Sequence, residues 1–412
     1  MKKQLLIITT LLSGYLTPAQ STTASVNLAE GKTNQSYYSL KNGELSNVDN
    51  QDWDIAFDVT ARGSSIRING QNGVELRVWP DGKIADWENV SISSINDWSQ
   101  LYNSTKTWYD GAFDQNNTGT AVDLGWGEYN PTTHAMAGDS IYIIKLSDQT
   151  YRKFYIDKLY GGVYSFKYAN IDGTEEVEAT VTKEEYSDKN FGYYSILNNQ
   201  VIDREPATAD WDLVFGKYEA NQGTIEAPYY MGFTGVLSNT GVTIAEARAT
   251  DIDGVTKDDN PFNEEIDIIG SDWKKYDRAS NTYSIVDNLV YFVNDKNAEI
   301  WKLSFTNFTT NNGEIEFTKE LLSEDVAGFE DNSSIKSFAV YPNPASSFVH
   351  ILFTAQGSDA QITITDPTGR LVKTENLDAF NNLIDIKSLS KGIYYLTLKV
   401  DGDSKTEKLV IK

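Results

Sequence analysis

The stretch Asp52-Trp53-Asp54-Ile55-Ala56-Phe57 recurs later in the chain as Asp210-Trp211-Asp212-Leu213-Val214-Phe215, at an offset of 211 − 53 = 158 residues. In both stretches large apolar side chains alternate with aspartate or smaller residues, which is typical of a β-strand with one buried face. The offset is about the length of one domain. The sequence therefore predicts that one β-rich module is used twice.

A second set of predicted strands closes each copy. Residues 140–168 contain three short apolar runs separated by polar turns, and residues 289–317 repeat that arrangement. Lys153 and Lys302 keep an offset of 302 − 153 = 149 within the two meanders. Two matched elements in the same order favour duplication over coincidence, and a duplication sets the domain boundaries.

Charge and cysteine content exclude several classes of protein. The 412 residues carry a formal net charge of −24, with 35 Lys and Arg against 59 Asp and Glu. Nucleic acid is a poor partner for such a chain, because binding it requires basic residues that neutralise phosphates. The absence of Cys excludes a disulfide framework, thiol catalysis, Cys-ligated zinc and a lipidated N-terminal Cys.

Residues 1–19 have the features of a secretory signal peptide. Lys2 and Lys3 precede a mostly apolar run over residues 5–16, which is too short to span a bilayer. The small residues of Thr17-Pro18-Ala19 suit a cleavage site. No later run reaches about 18 apolar residues, so no transmembrane segment is predicted. We expect a protein that is exported by way of the periplasm.

These observations predict an all-β protein with two tandem β modules and a small C-terminal β-sandwich. The predicted segments are a signal peptide at residues 1–19, a first module at 25–185, a second module at 186–323, a polar linker at 324–337 and the sandwich at 338–412.

The last segment carries three motifs in a fixed order: Tyr341-Pro342-Asn343-Pro344, the turn Asp366-Pro367-Thr368-Gly369-Arg370, and Lys391-Gly392-Ile393-Tyr394. With these motifs it closely resembles the type A C-terminal sorting domain of proteins that the type IX secretion system of Bacteroidetes exports. The resemblance implies the type IX machinery as a partner, export through the outer membrane and cleavage of this domain. It also implies either release of the protein or its attachment to a surface lipopolysaccharide.

The tandem modules resemble the HmuY-like haem-binding family of secreted or surface β-proteins. The resemblance rests on Asn50 to Phe57, the Asn-Gly-rich hairpin that follows, and the meander from Tyr142 to Tyr168. It covers residues 25–330 taken as two copies. Members of that family hold haem iron with two axial His or Met side chains, so the resemblance implies haem as a candidate cofactor.

The candidate axial residues are few. The chain has two His, and His350 lies in the C-terminal segment, so one module cannot supply a pair of His ligands. His134 and Met136 are the candidate pair, because residues two apart on a strand point the same way and His/Met ligation of haem iron is known. Met231 is the other methionine of the predicted mature chain. The alternative is that His134 is a loop residue and Met136 fills the core.

A second hypothesis is a surface module that binds glycans or peptides. The candidate platform consists of aromatic residues that lie among Asp, Asn and Gly in a region predicted to form long loops: Trp87, Trp98, Trp108, Trp126 and Tyr129. Exposed rings of this kind suit stacking on sugars, and such loops are where binding surfaces occur. The alternative interpretation, that these rings fill the core of a large β module, also stays open.

An enzyme is not expected. The sequence has neither a Gly-x-Ser-x-Gly motif nor a zincin motif, and its two His fall in different predicted domains, which does not favour a Ser-His-Asp triad. No catalytic residue and no metal ligand is assigned. Residues 251–272 are acidic, but their spacing matches no EF-hand loop and predicts a solvated loop.

Overall fold

A computed structural model describes residues 21–118, 120, 122–224, 227–252, 254–257, 260–323, 335–355, 360–377 and 382–412. Within these residues the chain forms antiparallel β-sheets joined by turns and short 3₁₀ segments, which confirms the all-β fold class. The predicted signal peptide and residues 324–334 of the predicted linker lie outside the described part of the chain.

The described residues form thirty strands, numbered here in chain order. The first fifteen are β1 Thr22–Asn27, β2 Asn34–Ser39, β3 Gly43–Asp49, β4 Ile55–Asp58, β5 Ile66–Ile68, β6 Glu75–Val78, β7 Gln100–Leu101, β8 Gly127–Asn130, β9 Ala135–Gly138, β10 Tyr142–Lys145, β11 Tyr151–Tyr160, β12 Val163–Asn170, β13 Val177–Thr182, β14 Phe191–Ser195 and β15 Gln200–Ile202. The other fifteen are β16 Leu213–Asn221, β17 Tyr230–Ser238, β18 Thr243–Arg248, β19 Lys274–Asp277, β20 Thr282–Ile285, β21 Leu289–Asn294, β22 Ile300–Thr309, β23 Glu314–Ser323, β24 Ile335–Tyr341, β25 Phe348–Ala355, β26 Ala360–Thr365, β27 Leu371–Leu377, β28 Leu383–Asp385, β29 Gly392–Val400 and β30 Asp403–Ile411. The 3₁₀ segments are Glu30–Lys32, Gly70–Asn72, Ile84–Asn89, Ile95–Asp97, Ala112–Asn116 and Lys183–Tyr186.

Strands β4 to β15 form a two-sheet structure that we call unit A. Its large sheet has the order β13-β12-β11-β10-β6-β7, with β8 and β9 paired alongside, and its small sheet has the order β15-β14-β4-β5. The strand predicted around Trp53 lies in the small sheet, and its Ile55 and Phe57 enter the core between the sheets. Trp126, Phe154 and Phe166 fill that core as well.

Strands β1 to β3 and β16 to β23 form unit B, which has two main sheets and a separate two-stranded sheet of β19 and β20. Its large sheet has the order β1-β23-β22-β21-β18, and its small sheet the order β3-β2-β16-β17. The core contains Leu213 and Phe215 from the second copy of the opening motif, together with Trp273, Tyr291 and Phe317. The order of these strands matches the order β13-β12-β11-β10-β6 and β15-β14-β4-β5 of unit A position by position.

The strand pairing differs from the predicted boundaries at 25–185 and 186–323. Residues 22–49 complete unit B, because β1 pairs with β23 and β2 pairs with β16. Residues 191–202 complete unit A, because β14 pairs with β4. Strands β1 to β3, at the start of the first sequence copy, therefore belong to unit B, which consists mainly of the second copy. Strands β14 and β15, at the start of the second copy, belong to unit A, which consists mainly of the first copy. The alternating pattern predicts which face of a strand is buried but not which strand lies beside it.

Matched aspartates hold these exchanged segments in place. Asp54 Oδ2 accepts a hydrogen bond from the backbone N–H of Ile196 at 2.7 Å, and Asp212 Oδ2 accepts one from the backbone N–H of Leu40 at 2.7 Å. Both carboxylates are buried, where a hydrogen bond is required to offset the loss of water. Each Trp-Asp motif thus fixes the turn that follows the exchanged strand.

The two tryptophans of the motif mark the boundary between the units. Trp53 packs edge-on against Tyr193 with ring centroids 5.0 Å apart, and Trp211 packs edge-on against Tyr37 at 5.1 Å. The hydroxyl oxygens of Tyr37 and Tyr193 lie 3.3 Å apart. The two motifs therefore meet across the boundary through equivalent contacts.

The C-terminal domain is a separate small sandwich. Its sheets have the orders β24-β25-β28 and β27-β26-β29-β30. Alternating residues such as Ile362, Ile364, Leu396 and Leu398 fill the core between them. This arrangement agrees with the sandwich predicted for the end of the chain.

Candidate functional site

The predicted haem ligands do not share a face. His134 lies in the turn between β8 and β9, with a φ of 56°, and is exposed, with its Nδ1 2.8 Å from the hydroxyl of Tyr129. Met136 is on β9, is 3% exposed and belongs to the core of unit A. The expectation that the two side chains point the same way is wrong, because the turn takes His134 off the strand. His350 lies in the C-terminal domain, stacked on Tyr341 at 5.0 Å.

The predicted platform residues, Trp87 among them, do not form an exposed surface. Trp126 and Tyr129 are 0% and 4% exposed and lie in the core of unit A. Trp108 packs between the units and donates its indole N–H to the carbonyl of Ser238 at 2.8 Å. Trp98 is half-buried against the apolar cluster on the outer face of unit A. The expectation of a platform is therefore wrong, because neighbouring side chains cover these rings.

Trp87 covers the outer face of the large sheet of unit A. It lies on the 3₁₀ segment Ile84–Asn89 and is 6% exposed. Its ring packs edge-on against Tyr155 at 5.1 Å, and its N–H donates to Glu176 at 3.0 Å. Lys153 lies under the ring with Nζ 4.5 Å from the centroid, and it donates to the Trp87 carbonyl at 2.9 Å. The loop after β6 is thus fastened to the sheet.

Unit B has the same lysine but a different cover. Lys302 donates to the carbonyl of Ile252, in the loop after β18, as Lys153 donates to Trp87. The next positions on that face are Ser304 and Thr318, which are partners across β22 and β23. The matching partners across β11 and β12 in unit A are Tyr155 and Lys167. Smaller side chains therefore stand in unit B where unit A has large ones.

A cleft of about 710 Å³ opens on the outer face of unit B. Its lining residues are Ser21, Ile252, Ile285, Val286, Asp287, Asn288, Leu289, Lys302, Ser304, Phe305, Thr306, Thr318 and Glu320. Lys302 and Glu320 are direct partners across β22 and β23, so neighbouring strands bring a basic and an acidic residue to the lining of the cleft. Hydroxyl, amide and charged groups together can donate and accept hydrogen bonds to a polar ligand. The sequence-based reasoning missed these residues, although a position-by-position comparison of the two meanders contains the signal.

A second, smaller cavity of about 40 Å³ lies between the units, with Trp53, Trp108 and Trp211 in its wall. This volume has room for little more than water. The buried carboxylate of Glu205 also lines it and accepts hydrogen bonds from the Tyr193 hydroxyl and the Phe191 N–H, both at 3.2 Å. Burial raises the pKa of Glu205 to about 7. The opening motifs thus line a tight joint rather than a ligand pocket.

In the part of the chain that the structure describes, no three His, Cys, Asp or Glu residues are grouped so that they could hold a metal ion. The described segments also contain no helix with the length and apolar character needed to cross a membrane.

The first C-terminal motif fixes the last strand of the chain. The Asn343 side chain donates to the Lys408 carbonyl at 2.6 Å and accepts the Val410 N–H at 2.9 Å. Two residues on, the Ala345 N–H donates to the Val410 carbonyl at 2.8 Å. The Pro residues on either side of Asn343 have no N–H, so they leave this segment without competing backbone donors.

The other two motifs form turns. Asp366 accepts hydrogen bonds from the Thr368 and Arg370 backbone N–H groups, while Gly369 adopts a φ of 83° that favours glycine. The Thr368 hydroxyl also donates a hydrogen bond to Asp366, at 2.6 Å. This hydroxyl bond is the main cause that lowers the pKa of Asp366 to about 2, and the bonds from Arg370 and from the backbone add to it.

Lys391 and Gly392 lead into β29, where Gly392 pairs with Ile411 of the last strand. Gly392 has a φ of 157°. The Tyr394 hydroxyl donates back to the Ser390 carbonyl at 2.9 Å.

Comparison with known proteins gives one match. Residues 339–412 match the family model of the secretion system C-terminal sorting domain. No curated protein and no solved structure matches the chain, so the resemblance of residues 25–330 to the HmuY-like family gains no support. The prediction for the end of the chain is confirmed: residues 339–412 are a C-terminal sorting domain of the type IX secretion system, which indicates export to the cell surface or into the medium.

Proposed function

We propose that the exported protein is a non-enzymatic binding protein whose unit B cleft holds a polar, hydroxyl-rich ligand such as a segment of a polysaccharide. One observation carries this proposal: the cleft of about 710 Å³ lies where Trp87 covers the equivalent face of unit A. Its volume falls in the range of ligand sites in proteins, about 300–1,000 Å³.

The lining supports binding more than catalysis. The hydroxyl groups of Ser304, Thr306 and Thr318 have no histidine beside them among the lining residues, so none has an adjacent general base of the usual kind. Lys302 and Glu320 offer a donor and an acceptor on neighbouring strands. Sugar hydroxyls both donate and accept, so they can pair with each of these groups. Recognition would rest on hydrogen bonds rather than on the ring stacking expected from the sequence.

The binding proposal is tested by passing the mature protein over an array of host and algal polysaccharides. We expect retention on at least one polysaccharide, with Glu320→Gln weakening it because the variant replaces a charged acceptor with a neutral group. Glu316→Gln is the matched control, since Glu316 is on the same strand and does not line the cleft. Equal retention of both variants and wild type would move the site away from the cleft, and no retention would reject the glycan ligand.

Export is tested separately by deleting residues 338–412. The truncated chain should stay in the periplasm, so that its level on the cell surface and in the medium falls to background in an immunoblot of cell fractions. Unchanged levels outside the cell would show that another segment directs export.

Haem is not part of this proposal, because Met136 is buried in the core of unit A and His134 is exposed in a turn. We expect haemin added to the mature protein to give no Soret shift that depends on His134. A shift that is present in wild type and lost in His134→Ala would support a haem site in unit A instead.

A further inference from the structure

Three lysines converge at one end of unit B. Lys274, on β19, is 8% exposed, and its Nζ lies 4.1 Å from the ring centroid of Trp273 and 5.1 Å from that of Phe308. The Nζ of Lys32 lies 6.0 Å from the same Phe308 ring. Lys217, on β16, is the cross-strand partner of Thr234 on β17, whose backbone carbonyl accepts a hydrogen bond from Lys274. We call Lys32, Lys217 and Lys274 the lysine cluster.

The lysine cluster lacks a direct counter-charge. Among the ion pairs between described residues, none involves Lys32, Lys217 or Lys274. Lys274 donates to the backbone carbonyl of Thr234. Burial lowers the pKa of Lys274 to about 7, with Asp272 opposing this and Lys32 adding to it. Neighbouring like charges that lack a partner cost free energy.

Unit A neutralises its own buried lysine at the matching end. Lys183 donates to the backbone carbonyls of Thr60, at 2.8 Å, and Gly63, beside the small sheet of unit A, and the buried carboxylate of Asp58 acts on it electrostatically. Asp58 ends β4, and the same position in β16 is Gly216. Unit B therefore lacks the carboxylate that unit A has, and has further amines instead.

We propose that the lysine cluster is a binding site for an oxyanion: a sulfate, phosphate or carboxylate group. An ammonium group has three N–H donors, so each of these lysines can donate a charge-assisted hydrogen bond to such a group. The bound anion removes the repulsion among the amines, and the rings of Trp273, Tyr283 and Phe308 provide an apolar floor beside it. The anion is either free in solution or a substituent of an acidic polysaccharide. This site is distinct from the cleft and does not depend on it.

Calorimetric titration of the mature protein with sodium sulfate and sodium phosphate, at constant ionic strength maintained with chloride, tests the proposal. Parallel titrations with dextran sulfate and unmodified dextran distinguish a free anion from a polymer substituent. The variants are Lys32→Gln and Lys217→Gln, because both side chains are half-buried and their loss leaves the core intact. Lys275→Gln is the control, since Lys275 is exposed on the same strand as Lys274.

We expect wild type and Lys275→Gln to bind the anion equally and each cluster variant to bind roughly tenfold more weakly, as loss of a charge-assisted hydrogen bond predicts. Binding of dextran sulfate with no binding of the inorganic anions would assign the site to a polymer substituent. The proposal is overturned if wild type binds none of these anions, or if the cluster variants bind as tightly as Lys275→Gln.

Discussion

The two large sheets share their strand order, and on the outer face of each a lysine, Lys153 or Lys302, donates to a backbone carbonyl of the loop above it. One outer face is nevertheless covered and the other is open. In unit A, Trp87 fills the space above Lys153 and Tyr155. In unit B, Lys302 and Ser304 line a cleft of about 710 Å³ at the equivalent place. The difference shows that one scaffold supports both a closed and an open surface, depending on a few side chains in the loop and on the central strands.

The ends of the two units differ in the same direction. Unit A supplies Asp58 beside its buried Lys183, whereas unit B has three lysines and Gly216 at the position of that aspartate. In both comparisons unit A has a group, the Trp87 ring or the Asp58 carboxylate, that unit B lacks at the equivalent place. We therefore place the proposed ligand sites in unit B rather than in unit A.

The largest expected effect comes from removing the cover of unit A. Trp87→Ala should lower the free energy of unfolding by about 3–5 kcal/mol, the usual loss for deleting a large buried ring. Ser304→Ala at the open face should change it by less than about 0.5 kcal/mol. Guanidinium unfolding of both variants measures this difference. A loss below about 1 kcal/mol for Trp87→Ala would mean that the covered face contributes no more than the open one.

The joint between the units should respond to pH through Glu205, whose pKa burial raises to about 7 from its ordinary 4.5. The folded state therefore holds this proton more tightly than the unfolded state does. Its contribution to stability is complete below pH 4.5 and is lost as the pH rises through 7, with an upper limit of about 3 kcal/mol.

Urea unfolding of wild type and Glu205→Gln between pH 4.5 and 8 isolates that contribution. The stability of wild type relative to the variant should fall across this interval, because only wild type has the carboxyl. Asp110 and Asp212, whose pKa values burial raises to about 6, remain in both proteins and cancel in the difference. A difference that is constant with pH would contradict the raised pKa.

The smallest effect concerns the feature that the two units share. Asp54→Ala and Asp212→Ala each leave a buried backbone N–H without its acceptor, so each should cost about 1–3 kcal/mol. Asp54 also accepts the Leu197 N–H at 3.2 Å, which places its loss at the upper end of that range. Chemical denaturation of the two variants checks this. A loss in only one of them would break the equivalence of the two motifs.

Several parts of this architecture could be predicted because residue type alone determines them. The alternation around Trp53 and Trp211 predicts strands with one buried face, and both strands exist. In the sorting domain, Asn343 and Gly369 are visible in the sequence because each performs a backbone task that few residues can perform.

Other parts could not be read from one sequence. The partner strands of β1 and β2 lie far away in the sequence: β1 pairs with β23, about 290 residues further on. Local periodicity carries no information on which distant strand pairs with a given strand. Trp126 and Trp108 lie in polar sequence, but tertiary packing buries the first and covers much of the second. The cleft results from the absence of bulk at Ser304 and Thr318, and a pattern of polar strand residues is the same for a solvated face and for a site.

Filling the cleft with the residue that unit A uses is the most direct test of the central claim. The Kd of the polysaccharide that wild type retains best would be measured for Ser304→Tyr, which copies Tyr155, and for Asn307→Tyr, which adds the same ring at an exposed position of β22 outside the cleft. We predict that Ser304→Tyr raises Kd at least about tenfold, or about 1.4 kcal/mol, while Asn307→Tyr leaves it unchanged. Equal Kd values for wild type and Ser304→Tyr would contradict the assignment of binding to the open face of unit B.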